Sequence, residues 1–208
     1  MSNSLNHLDN VIDEVRADVL KEIGNIGSGH AANSLSIIVN NDVKMSVPEV
    51  VFLDANEASR FMGGPENVSV GIFFEIMGDF TGMFMLVVNL ELADRIVRAL
   101  VHEKTNKDGI FSEMQLSALS EVGNIFAYAY VNSISELLQM SVSLSTPKIC
   151  VDMNAAILSI PNIRMGNASD KIMMIETQFN NIAFDSGSKL FLIPDEGAVE
   201  RLMAKLGY

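Results

Sequence analysis

The stretch DVLKEIGNIGSGHAANSLSIIVNNDVKMSVP, residues 18–48, returns 99 residues later as SALSEVGNIFAYAYVNSISELLQMSVSLSTP, residues 117–147. At that offset Leu20, Glu22, Gly24, Asn25, Ile26, Asn33, Ser34, Ser36, Val43, Ser46 and Pro48 all meet identical residues. Other pairs are conservative, among them Ile23 with Val122 and Leu35 with Ile134. Two copies of so long a segment indicate a duplicated half-domain and a pseudo-twofold fold, since a solenoid needs three or more repeats.

Working outward, each copy reads as the same series of elements. A helix opens it, over residues 8–39 and 112–140, with Val15, Val19, Ile23 and Ile26 at helical spacing. Ser112 followed by Gln115 predicts a capping box at the second start. Extended segments, 43–53 and 142–153, alternate β-branched residues around Pro48 and Pro147, and proline belongs at a strand end or a sheet edge. Two further strands follow in each half, 68–77 with 80–89 and 172–180 with 189–193, and then a closing helix, 91–101 and 195–206. Residues 154–163 predict a short helix without a counterpart in the first copy. The expected class is α+β: one pseudo-twofold domain over residues 1–208, built of two helix-plus-three-strand halves at about 8–105 and 108–208, with helices packed on a β-sheet. The pattern leaves the strand order open.

Composition narrows the function. A chain of 208 residues can bury one sizeable core, and 49% hydrophobic with 19% charged residues is a globular balance. A net charge of −12 without any cluster of Lys and Arg argues against nucleic acid as a partner. Cys150 is the only cysteine, which excludes an intramolecular disulfide and a thiolate zinc site and suits a reducing cytosol. Asp9, Asp13 and Glu14 stand where a secretory signal needs a basic start and an apolar run, so a cytoplasmic location is expected. Residues 70–90 are the most membrane-like, but Glu75 and Asp79 interrupt them and Gly78-Asp79 signals a turn, which predicts a hairpin and no membrane insertion. His7, His30 and His102 are too dispersed for a metal site, and Met83, Met85, Met173 and Met174 read as core fillers.

The polar residues that recur in the opening helix are Asp18, Glu22 and Asn25, matched by Ser117, Glu121 and Asn124. Their spacing of i, i+4, i+7 sets them on one helix face. A merely solvated stripe has no need of the same Glu and Asn twice, and nearby positions such as Lys21 and Ser120 do differ. Asparagine is a mediocre helix former, and a mid-helix glycine such as Gly24 or Gly123 costs about 1 kcal/mol relative to alanine. The glycines leave room for a bound protein or for close packing of the two repeat helices.

The run Lys21-Glu22-Ile23-Gly24-Asn25-Ile26-Gly27-Ser28-Gly29, preceded by Asp18 and followed by Met45-Ser46-Val47-Pro48, resembles the CheC family of chemotaxis phosphatases, which includes CheX and a domain of FliY. The family's pattern of Asp or Ser, three residues, Glu, two residues, Asn is met in both copies, which resembles CheC more than CheX with its single such helix. His30 and Asn33 stand where relatives often carry Asn and Thr, and Phe126-Ala127-Tyr128 replaces the small residues of the first copy.

The resemblance implies phosphorylated CheY as substrate, with Glu22, Asn25, Glu121 and Asn124 as the catalytic motif and Asp18 and Ser117 in support. In that reading Asn25 and Asn124 orient the attacking water and Glu22 and Glu121 grip a lysine of the receiver. No cofactor of the chain's own is implied, since Mg2+ comes with the receiver. The resemblance also implies a possible second partner, the receptor deamidase CheD, contacted near Asp152 in Thr146-Pro147-Lys148-Ile149-Cys150-Val151-Asp152-Met153. The alternative function is therefore an adaptor of little turnover that regulates CheD.

Two rival motifs are weaker. Gly27-Ser28-Gly29-His30-Ala31-Ala32 fits the dinucleotide fingerprint, but that fingerprint follows a strand, whereas residues 11–26 read as helix. Ser28 and His30, two residues apart on a helix, face different directions.

Overall fold

The computed structural model describes residues 2–40, 42–53, 55–101, 110–164, 172–181 and 184–207. The first half runs α1 (Ser2–Val39), β1 (Lys44–Met45), β2 (Glu49–Leu53), α2 (Ala55–Phe61), β3 (Val68–Gly78), β4 (Gly82–Asn89) and α3 (Leu90–Val101). The second runs α4 (Glu113–Leu138), β5 (Val142–Leu144), β6 (Lys148–Met153), α5 (Asn154–Arg164), β7 (Ile172–Asn181), β8 (Phe184–Pro194) and α6 (Ala198–Lys205). The halves correspond element for element. The short helix at 154–163 therefore does have a counterpart: α2 stands at the same 99-residue offset, and its two turns are too short to show a helical period in sequence. His102 and the junction expected near residues 105 and 108 lie outside the described residues, as does the side chain of His7.

Other boundaries shift for local reasons. Helix α1 begins before residue 8, in a run that meets no glycine or proline until Gly24. Helix α4 starts at its predicted box: Gln115 N–H donates to Ser112 Oγ at 3.3 Å, and Ser112 N–H donates to Gln115 Oε1 at 3.0 Å. Both long helices are followed by a left-handed residue at the same offset, Asn40 (φ 49°) and Gln139 (φ 50°). Helix α6 begins at Ala198 and not at residue 195, because left-handed Gly197 (φ 73°) closes a turn before it. Strand β8 begins five residues before 189 and ends one residue after 193.

The sheet order is β1-β7-β8-β4-β3-β5, with β2 continuing β1 along β7 and β6 continuing β5 along β3. All described pairings are antiparallel, and Pro48 and Pro147 interrupt the two outermost lines, where a missing N–H is harmless. Each edge pairs with the hairpin of the opposite half: Glu49 lies opposite Glu176, and Lys148 opposite Phe73. The halves have exchanged edges about a pseudo-twofold axis that passes through the Met85–Phe191 pair of β4 and β8.

Repeated serines fasten the exchange. Gln178 N–H donates to Ser46 Oγ at 3.0 Å and Ser46 N–H returns a bond to Gln178 O at 2.8 Å. In the other copy Glu75 N–H donates to Ser145 Oγ and Ser145 N–H donates to Glu75 O, each at 2.9 Å.

Both faces of the sheet are covered. On one, Leu20 and Ile23 of α1, Val122 and Phe126 of α4, Ile96 of α3 and Leu202 of α6 join Phe74, Phe84 and Leu192. On the other, Ala58 of α2 and Ile157 and Leu158 of α5 meet Phe73, Met85 and Phe191. Strands enclosed on both sides read as continuous apolar runs, which accounts for the membrane-like hydropathy of residues 70–90. Among the described residues no helix is long and apolar enough to cross a membrane.

Candidate active site

The glycines decide how the repeated stripe is presented. A Cβ on Gly24 would stand 3.0 Å from Pro48 Cβ and 3.1 Å from Ile175 Cγ2; one on Gly123 would stand 2.8 Å from Ile72 Cγ2. The space expected there for a bound protein or for the other helix is filled by the sheet. Helix α1 thus presses on β7 and α4 on β3, the hairpins of the opposite halves. The contact between the two helices falls at Gly27, where a Cβ would come within 2.9 Å of the Tyr130 ring. This explains Gly27 as helix packing, whereas Gly29 in the same run faces open space. The run lies mid-helix with no strand before it, and the Ser28 hydroxyl is spent on Asn25 O at 3.1 Å.

With the glycines turned inward, the opposite face turns out. Asp18, Glu22, Asn25, Ser117 and Glu121 are exposed, and Asn124 is half-buried. Asp18 forms a 3.8 Å surface pair with Lys21, of a kind that contributes little to stability. Among the described residues the side chains of Glu22, Asn25, Glu121 and Asn124 have no hydrogen-bond or ion-pair partner.

Many of the other repeated residues have structural work that explains them, although Asn33 and Asn132 are exposed as well. Leu20 and Leu119 are buried, Ser36 Oγ accepts from Val43 N–H at 2.9 Å, Ser46 and Ser145 clamp the exchanged edges, and Pro48 seats Gly24. The Glu/Asn pairs are duplicated without such a reason.

The two pairs stand on separate helices over different strands. Beneath them β7 and β3 stand three strand intervals apart, about 14 Å at ordinary strand spacing. Each offers a carboxylate that only accepts hydrogen bonds, beside a carboxamide that both donates and accepts. Neither pair lines the two described cavities. A cleft of about 370 Å3 beside α5, lined by Phe73, Lys148, Cys150, Ile163 and Arg164 among others, contains none of the motif residues. An exposed helix face suits another protein's surface better than an enclosed small molecule.

The Cys150 thiol is held above its ordinary pKa: burial raises it most, the charge of Asp152 raises it further, and a hydrogen bond with the Gly71 backbone offsets only part. Asp152 itself is exposed on β6, opposite Ser69 and on neither motif helix. Among the described residues no three His, Cys, Asp or Glu side chains gather as metal ligands would.

The sequence model of the CheC-like family matches residues 15–52 and 114–151, which are the motif helix and exchanged edge of each half. Both repeats thus resemble the CheC-like family. The chain is 29% identical over 202 residues to the CheY-P phosphatase CheC of Bacillus subtilis, covering 95% of this chain and 97% of that protein. Its fold superposes on the crystal structure of Thermotoga maritima FliY with a TM-score of 0.72 at 22% identity, covering 92% of this chain and 96% of the other. It also superposes on the chemotaxis protein CheX from Desulfovibrio desulfuricans, with a TM-score of 0.55 at 17% identity over 84% and 99% of the two chains. The resemblance read from the duplicated motif and the α+β class are borne out.

Sequence reasoning noted the bulk of residues 126–128 but not that it borders the repeated motif on an exposed face. Met114, Ile125 and Tyr128 are exposed on α4 beside Ser117, Glu121 and Asn124. The available signal was the repeat itself, which sets Tyr128 against Gly29 and Met114 against Val15.

Proposed function

We propose that the chain accelerates hydrolysis of the aspartyl phosphate of a CheY-type receiver, at two sites. The observation that carries this is the pair of outward-facing, unpartnered Glu/Asn couples, repeated one turn apart on the same face of both long helices. The Bacillus subtilis relative, named a CheY-P phosphatase, supports the substrate.

An acyl phosphate is already reactive, so a catalyst has mainly to place water in line and steady the spreading charge. The carboxamide of Asn25 or Asn124 accepts a hydrogen bond from the water and donates one to a phosphoryl oxygen. The water oxygen bonds to phosphorus as the bond to the receiver's aspartate breaks, releasing carboxylate and inorganic phosphate. A carboxylate leaves without a general acid. Glu22 and Glu121 hold a lysine of the receiver, and Mg2+ belongs to the receiver's own acidic pocket. The reaction takes place in the cytosol.

The test is phosphate loss from a purified phosphorylated CheY with and without this protein. Asn25→Ala combined with Asn124→Ala abolishes the acceleration while the folded signal is unchanged; the combined Glu22→Ala and Glu121→Ala variant retains kcat at a raised KM. Wild-type rates in the double asparagine variant refute the assignment. A second reading, docking of a CheD-type deamidase, draws on exposed Asp152 beside the outer line of the sheet. It gains ground if the wild-type chain binds phosphorylated CheY without hastening hydrolysis.

A further inference from the structure

The two sites share their Glu and Asn but differ in what borders them. Along α4 the outward stripe runs Met114, Ser117, Glu121, Asn124 with Ile125, then Tyr128, and the three large apolar members are 64%, 41% and 41% exposed. The same positions on α1 hold Val15 and Ile26, both half-buried, and Gly29, around which a Cβ would find nothing within 4 Å. Among the α1 residues whose burial is described, Ile37 is the large exposed apolar one, 12 residues beyond Asn25 and about 18 Å along the helix at 1.5 Å per residue. Tyr128 lies one turn from Asn124, within reach of whatever docks on it.

We infer, on the basis of the phosphatase reading above, that Tyr128, with Met114 and Ile125, forms an apolar docking rim that makes the α4 site the tighter receiver site, and that Gly29 leaves the α1 site without one. Residues of the second helix that depart from the repeat divide into two uses. Phe126 and Tyr130, opposite Gly27 and Ala31 in the alignment, are wholly buried in the core, whereas Tyr128 is exposed and belongs to neither core cluster. An aromatic held at the edge of a polar site gives contact area at a small entropic cost and is a common anchor in protein recognition. The occupant is the same phosphorylated receiver that Asn124 serves, because a surface continuous with the motif helix is covered whenever that receiver docks.

Each site is measured alone, the α4 site in an Asn25→Ala background and the α1 site in an Asn124→Ala background, with purified phosphorylated CheY as the probe. The α4-only protein shows the lower KM. In it Tyr128→Ala raises KM about tenfold with kcat nearly unchanged, while Tyr128→Phe keeps the parental KM. In the α1-only protein Gly29→Tyr lowers KM, a substitution for which the open surroundings leave room. An unchanged KM in Tyr128→Ala, or a lower KM for the α1-only protein, overturns the proposal. These outcomes are distinct from failure of the phosphatase reading, which shows as undiminished activity when both asparagines are replaced.

Discussion

Tyr130 is wholly buried, its ring 5.2 Å from that of Phe84 and its hydroxyl without a hydrogen-bond partner. Burial raises its pKa above the ordinary 10.0, so the folded chain keeps the proton that the unfolded chain sheds. Stability is then full below pH 10 and falls as pH rises from there toward the folded value. Tyr130→Phe removes both penalties. We expect it to stabilise the fold by about 1 kcal/mol at neutral pH, since a buried unpaired hydroxyl costs that order, and to flatten the alkaline decline. Thermal unfolding of both proteins between pH 7 and about 11 checks this. Glu22, Asn25, Glu121 and Asn124 were legible in sequence because identity in two copies is visible there. Tyr130 was not, because its alignment partner is Ala31 and only packing shows that one large side chain fills the space left by a small one.

At the scale of the element, α1 carries two glycines two residues apart with opposite roles. A Cβ at Gly27 meets the ring atoms of Tyr130, which is held by the core and cannot swing aside; a Cβ at Gly29 meets nothing. Overpacking of this kind costs about 1–3 kcal/mol, against about 1 kcal/mol gained in helix propensity. Gly27→Ala is therefore expected to lower stability by about 1 kcal/mol net, and Gly29→Ala to raise it by a similar amount. Urea unfolding of the two variants measures the contrast, and equal shifts contradict it. The long helices, the Ser112 capping box and the prolines at the sheet edges were readable because period, cap and missing N–H are local signals. Helix α2 and the exchange of edges were not: seven residues carry no clear period, and nothing in a strand's own residues states which distant hairpin it will join.

For the whole molecule, the exchange means that neither half is a unit by itself. Residues 2–101 on their own would leave β1 and β2 without β7, and α1 without Ile175 beneath Gly24. We expect that fragment and residues 110–207 each to remain unfolded when expressed alone and to recover native far-ultraviolet dichroism on mixing; independent folding of either fragment contradicts the interlocked arrangement. The same topology bears on how the chain is made. Glu49 pairs with Glu176, so more than half of the polypeptide is still to be synthesised when the first edge strand leaves the ribosome. At about 5–20 residues per second that strand and the apolar side of α1 wait on the order of ten seconds for their partner. During that interval the nascent chain presents an unpaired strand and a bare helix face together, and in a crowded cytosol the yield of folded protein depends on a chaperone covering them until β7 emerges.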